Sequence, residues 1–225
     1  MFRLRTLPTH FIFLPHPTLA RSPYRLHSSV MSSQGKTALV LLSEGNEEME
    51  TVIPMDILRR AGVKVTLAGL NGAGTVTCSR NVKIVPDTAL SALQDKNAFD
   101  AIILPGGLGG AEAFAKSKEV HNLLESYHSD PNKTVAIICA SPIALQASGV
   151  AKGKTVTSHP SVKEKLTDYG YKEDRVVVDG NLITSRGPGT AFEFALAIVK
   201  RLQGVEKARE IIGPMVCHDS IASSL

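Results

Sequence analysis

Short runs of apolar and β-branched residues recur along this chain with hardly a polar residue inside them. "TALVLL" (37–42), "VKVTLAG" (63–69), "AIILPGG" (101–107) and "TVAIICA" (134–140) are of this kind. A strand with one wet face alternates apolar and polar residues. Runs without alternation belong to strands covered on both faces, as in a parallel sheet. Between them lie segments with apolar residues at helical spacing: "EMETVIPMDILRRAG" (48–62), ended by Gly62, and "SKEVHNLLESYHSD" (117–130). "RVVVDGNLITSRG" (175–187) reads as a hairpin about Asp179–Gly180. "GTAFEFALAIVKRLQG" (189–204) reads as a helix, with Thr190 as its candidate N-cap and Gly204 as its stop. The alternation predicts an α/β fold, a mostly parallel central sheet with helices on both faces. The 225 residues, 43% hydrophobic, can bury one sizeable core. No Pro/Gly/Ser-rich break divides residues 36–220, so one domain is expected there, followed by a short tail over 221–225.

Charge narrows the function classes. Lys and Arg total 25 against 21 acids, but residues 1–30 hold Arg3, Arg5, Arg21 and Arg25 and no acid, leaving 25 − 4 = 21 bases against 21 acids. The pI near 9.0 therefore belongs to the N-terminus and not to a face of the domain. With aromatics at 5% and no Trp, nucleic-acid binding is unsupported. Cys78, Cys139 and Cys217 form no CxxC and no spaced framework, which suits free thiols in a reducing compartment. No apolar run reaches the ~18 residues of a membrane span. Residues 1–35, rich in Arg and Ser, have the composition of a mitochondrial transit peptide, although Pro8, Pro15 and Pro17 would interrupt its helix; the alternative is a disordered extension. A start at Met31 would leave the same domain in the cytoplasm, so mitochondrion and cytoplasm are both expected locations, with the nucleus open to it as well.

Ligands of an open α/β sheet gather at the carboxyl ends of its strands. Three segments should arrive there. "CASP" places Cys139 where a strand turns into a helix, with small neighbours Ala140 and Ser141 permitting a tight bend. Helix N-terminal N–H groups favour an anion, so this thiol is expected to have a lowered pKa. In "LPGG", the pair Gly106–Gly107 can present backbone N–H groups to an oxyanion without a Cβ in the way. "GNEEME" puts Glu47, Glu48 and Glu50 in a first helical turn, where acids complement the helix dipole; one kept protonated by burial could also donate to a thiolate, and spacing alone does not choose among them. His159, in "TVTSHPS" after a further short strand, is the candidate base for Cys139.

Taken in order, "LSEGNEEMETVIPMDILRRAGVKVTLAGLNG", "CSRNVKIVPD", "LPGGLGG", "AIICASP", "TSHP" and "NLITSRGPGTAFEFALAIV" closely resemble the Parkinsonism-associated deglycase family of the ThiJ/PfpI superfamily. The resemblance runs from about Lys36 to Val216. It implies a flavodoxin-like three-layer sandwich that forms a homodimer. Cys139 matches the family's reactive cysteine, Glu50 the acid bonded to it, and His159 the histidine beside it. The backbone at Gly107 and Ala140 matches the oxyanion site, with Arg80 and Arg186 flanking the pocket. Ser141 departs from the Gly or Ala of relatives, and Val85 replaces a cysteine that some relatives carry.

The resemblance implies a cofactor-independent glyoxalase or deglycase. Its partners would be small dicarbonyls such as methylglyoxal and glycated protein or nucleotide adducts. A redox sensor working through oxidation of Cys139 is a second class. A cysteine protease or amidotransferase is a third, weakened because Ala140 follows the cysteine and Pro160 the histidine, leaving no carboxylate to orient the imidazole. No metal site is expected, since "CH" at 217–218 has poor chelate spacing and no further ligands nearby.

Overall fold

Strands covered on both faces need apolar side chains at every position, and the computed structural model places them that way. It describes residues 35–223, so the expected transit peptide or N-terminal extension lies outside the described residues except for Gly35. The strands and helices in chain order are β1 (Thr37–Leu42), α1 (Glu48–Arg60), β2 (Lys64–Gly69), β3 (Val76–Thr77), β4 (Lys83–Ile84), β5 (Thr88–Ala89), β6 (Ala101–Leu104), α2 (Leu108–Lys116), α3 (Lys118–Ser129), β7 (Thr134–Ile138), α4 (Ile143–Ser148), β8 (Thr155–Val156), β9 (Gly170–Tyr171), β10 (Val176–Asp179), β11 (Leu182–Ser185), α5 (Ala191–Gln203), α6 (Val205–Ile212) and α7 (Asp219–Ala222). Seven strands form the central sheet in the order β10-β11-β7-β6-β1-β2-β5, and β10 alone runs antiparallel to its neighbour.

Two apolar cores lie on opposite faces of this sheet. Ala38, Val40 and Leu42 of β1 point into one, with Ile57 and Leu58 of α1 and Phe194, Leu196 and Ile198 of α5. Leu39 and Leu41 point into the other, with Phe114 of α2, Leu123 and Tyr127 of α3 and Leu145 of α4. Successive β1 side chains therefore serve different cores, and neither set could be polar. This is the α/β, flavodoxin-like three-layer sandwich that the sequence predicts.

The strand runs end sooner than their apolar character suggests. β7 stops at Ile138, and Cys139 and Ala140 form the turn after it. The "KTVTS" run yields only Thr155–Val156, paired with β9 in a separate two-stranded sheet. The hairpin is present, with Gly180 at positive φ in a two-residue loop shared with Asn181. Thr190 sits at the N-cap of α5 but makes no capping bond. Its Oγ1 instead accepts the N–H groups of Arg186 and Gly187, folding the "SRGPG" loop back on itself. Part of the expected tail, residues 221–222, belongs to α7.

One buried side chain joins the hairpin to the helical layer. Asn181 Nδ2 donates to the carbonyls of Tyr127 (3.1 Å), His128 (3.1 Å) and Asp130 (3.0 Å), the last turn of α3 and its cap. Carbonyls at a helix end have no partner within the helix, so this amide supplies one. Asn181→Ala should lower stability by about 1–3 kcal/mol, the cost of leaving such groups unpaired. In urea unfolding the midpoint should fall while the slope stays constant.

Candidate active site

Four strand ends of the sheet meet at one edge: the loops after β1, β6, β7 and β11. Cys139 is on the third. Its φ is +68°, a left-handed conformation that non-glycine residues avoid, and holding it costs on the order of 1–3 kcal/mol. The backbone is clamped there from both sides. Cys139 N–H donates to Ser185 O (3.0 Å), and His159 N–H donates to Cys139 O (2.8 Å). The elbow expected from "CASP" is thus built, and the side chain is 8% exposed.

Glu50 has no exposed surface. The three acids of "GNEEME" divide their work. Glu47 caps α1, accepting the Glu50 N–H at 2.8 Å. Glu48 accepts from Ser79 Oγ (3.0 Å) and Arg80 N–H (2.9 Å). Only Glu50 faces Cys139, with its Oε2 accepting the Gly106 N–H at 2.8 Å. Its Oε1 is buried without a hydrogen-bond partner and lies on the side of Gly187 and the His159 ring.

The glycine pair is required by space. A Cβ on Gly106 would stand 2.4 Å from Cys139 Cβ and 2.5 Å from Glu50 Oε2. Gly107 has φ +83°, and a Cβ there would stand 2.3 Å from Gly45 O. Asn46, which sequence reading passed over, holds this loop. Its Nδ2 donates to Pro105 O (3.1 Å) and Gly106 O (2.7 Å), and its Oδ1 accepts Ser43 N–H (2.6 Å). A Gly-Asn pair shortly after a strand is a turn signal, and Gly45–Asn46 offers that clue.

The structure corrects the expected oxyanion donors. Gly106 N–H is committed to Glu50, so it is a support for the acid. The N–H groups of Gly107 and Ala140 remain to favour charge on the Cys139 sulfur. It also corrects the expected thiol. Burial, with the Glu50 charge adding to it, pushes Cys139 up to about 12, against those two N–H groups. The helix end that was to lower it begins only at Ile143, beyond the elbow. Burial chiefly, helped by the charge of Glu47, pushes Glu50 up to about 7, against hydrogen bonds with Cys139 and Gly106. The two groups therefore titrate as a pair. One route to a thiolate open to this arrangement is transfer of the thiol proton to Glu50, which would keep the net charge of the pair at one and leave a neutral acid as donor to the sulfur.

His159 borders the site without joining the pair. Its exposed ring accepts the Ser161 N–H on Nδ1 (3.2 Å) and lies 2.8 Å from Ser161 Oγ there, capping the following turn. Its Nδ1 is thus engaged within its own turn. No hydrogen bond joins this ring to Cys139 among the described residues. Arg186 donates to Glu173 O (2.7 Å) and Arg80 to Ser79 O (3.1 Å), so neither guanidinium is bonded to the pair. Among the described residues no group of three or more His, Cys, Asp or Glu could hold a metal ion.

Both the sequence and the fold are similar to those of known proteins. The DJ-1/PfpI family pattern matches residues 36–201. The chain is 50% identical over 188 residues to the Parkinson disease protein 7 homolog of Danio rerio, covering 82% of this chain and 99% of that protein. It is 42% identical over 183 residues to the glutathione-independent glyoxalase DJR-1.2 of Caenorhabditis elegans, covering 80% and 96%. The crystal structure of Drosophila melanogaster DJ-1beta superposes with a TM-score of 0.79 at 52% identity, over 82% of this chain and 99% of that one. With its elbow cysteine, buried acid and glycine loop assembled on that fold, the chain belongs to the DJ-1/PfpI family.

Proposed function

We propose that this protein is a cofactor-independent glyoxalase that works through Cys139 and Glu50. The observation that carries the reading is a fully buried carboxyl with a pKa raised to about 7, set beside a thiol that faces two backbone N–H groups. Such a carboxyl is poised to take and return a proton at neutral pH. A similar activity is in the name of the Caenorhabditis relative.

The sulfur adds to the aldehyde carbon of methylglyoxal while the carbonyl oxygen takes a proton, giving a hemithioacetal. Glu50 removes the hydrogen of that carbon and delivers a proton to the neighbouring ketone carbon. The carbon that gave up the hydrogen becomes a thioester carbonyl and its neighbour an alcohol, so one carbon is oxidised as the other is reduced. Water then cleaves the thioester, giving lactate and the free thiol; glyoxal gives glycolate by the same steps. Gly107 and Ala140 N–H groups stabilise the anionic states. Early adducts of the same dicarbonyls on protein or nucleotide amines would enter as substrates by the same sulfur addition, the deglycase form of the activity.

A second reading concerns the same thiol. Two backbone N–H groups and a neutral Glu50 could hold the oxygens of a sulfinate, which suits a sensor of oxidants. Cys78 is less suited, because burial and then the charges of Glu48, Glu44 and Glu47 oppose its thiolate, and among the described residues it has no counterpart of the Gly107 and Ala140 N–H groups that face Cys139. Graded peroxide followed by mass spectrometry should show two oxygens on Cys139 before Cys78 or Cys217; the reverse order would end this reading. We also propose a homodimer, for which Met49 and Val52 on α1 and Val82 and Val85 beside β4 offer exposed apolar surface. Sedimentation at twice the 24.0 kDa chain mass is its check.

Cys139→Ala should abolish conversion of methylglyoxal to lactate, and Glu50→Gln should slow it by about 10²–10⁴-fold, the usual worth of a positioned acid–base group. Consumption by Cys139→Ala at the wild-type rate would refute the proposal. Glu50→Gln should also change stability. The folded pKa of Glu50 lies above its ordinary 4.5, so its contribution is intact below that pH and lost as pH rises through about 7. The Gln variant should accordingly be more stable than wild type by about 1–3 kcal/mol at pH 8, with little difference near pH 4.5, as urea unfolding would report.

A further inference from the structure

Ser141 is wholly buried two residues past the cysteine, a position where packing alone asks for no hydroxyl. Its Oγ donates to Pro105 O at 2.5 Å, across from the β7 elbow to the loop after β6. The same carbonyl accepts Asn46 Nδ2 at 3.1 Å. Pro105 C=O and Gly106 N–H belong to one peptide unit, which is planar with its two polar groups pointing in opposite directions. Whatever fixes the carbonyl therefore fixes the N–H, and this N–H is the one that holds Glu50 Oε2 at 2.8 Å. Donation to the carbonyl oxygen also polarises the amide and strengthens its own donation on the far side.

We propose that Ser141 is a positioning residue for the acid of the site: through the Pro105–Gly106 peptide it aims and strengthens the Gly106 N–H, and so sets how firmly Glu50 holds its proton. It links the segment that bears the nucleophile to the segment that supports the acid. Asn46 secures the carbonyl from the β1 side, so removing the hydroxyl leaves the loop in place but loosens the angle of the peptide plane. The other groups that bear on Glu50 are Cys139 from the end of β7, Glu47 from the cap of its own helix, and the His159 ring across Gly187. Ser141 contacts the acid only through the peptide. The inference rests on the Cys139–Glu50 pair and not on the identity of any substrate.

The test is an NMR titration of the full chain, labelled with 15N and with 13C in the glutamate carboxyls, in wild type, Ser141→Ala and Ser141→Gly. In wild type the Gly106 amide shift should titrate with the Glu50 carboxyl. In both variants that amide should move upfield, and the Glu50 midpoint should rise by a few tenths of a pH unit as its ionised form loses support. The iodoacetamide rate at Cys139 should shift along pH by the same amount. An unchanged Gly106 amide and an unchanged Glu50 midpoint in a folded variant would overturn the proposal, even if the melting temperature fell. If neither variant folds, the wild-type spectrum decides: a Ser141 hydroxyl proton protected from exchange and shifted downfield supports the bond, and its absence refutes it. Dicarbonyl turnover is not used, so failure of the glyoxalase reading leaves this result intact.

Discussion

A sheet covered on both faces leaves polar chemistry only one kind of place, the ends of its strands. β1 and β6 are apolar throughout their buried length, and β7 is so after Thr134, because each alternates between two cores. The backbone leaving them must turn within a residue or two, and its freed N–H and C=O groups have to be satisfied at once. Asn46, Ser141 and Thr190 do this work at three of the four strand ends. The site is thus a by-product of closing the sheet: the same bonds that terminate strands aim the N–H groups of Gly106, Gly107 and Ala140.

Burial then sets the chemistry of the pair. Neither Cys139 nor Glu50 would choose its charged form in this environment alone. Placed together they are coupled, because a negative charge on Glu50 opposes a second one on the sulfur beside it. Fixed N–H dipoles from the glycine loop hold that charge without reorganising when it moves, which is how enclosed sites support ionic intermediates.

The sequence shows the layers clearly, because unalternating strands and helical spacing each have one geometric meaning. Cys139 was legible for a similar reason: an apolar run, then a cysteine among small residues, describes a tight elbow. Glu50 was not separable from Glu47 and Glu48 by spacing, since all three suit a first helical turn, and only three-dimensional placement gave each its partner. The lowered thiol pKa was misread because a helix was assumed to start at the elbow, whereas it starts at Ile143 and burial outweighs it. His159 looked like a base beside a thiol, but an imidazole before Pro-Ser can also cap its own turn, and here it does. Thr190 was read as a helix cap, yet the nearer N–H groups of Arg186 and Gly187 claim its hydroxyl.

The clamp on Cys139 has a consequence for access to its sulfur. With its N–H tied to Ser185, its carbonyl tied to His159 and its φ held at +68°, the residue keeps one soft rotation, χ1, to carry the sulfur. Gly106 packs against this residue so closely that a Cβ on it would stand 2.4 Å from Cys139 Cβ, so the glycine is what leaves room for the sulfur. The approach to the sulfur is therefore laid down by backbone: the clamped elbow on one strand end and a side-chain-free glycine on the next. A larger residue at position 106 would close that room, so the tolerance of the elbow for a group on its sulfur is set on a neighbouring strand end and not on the segment that carries the thiol.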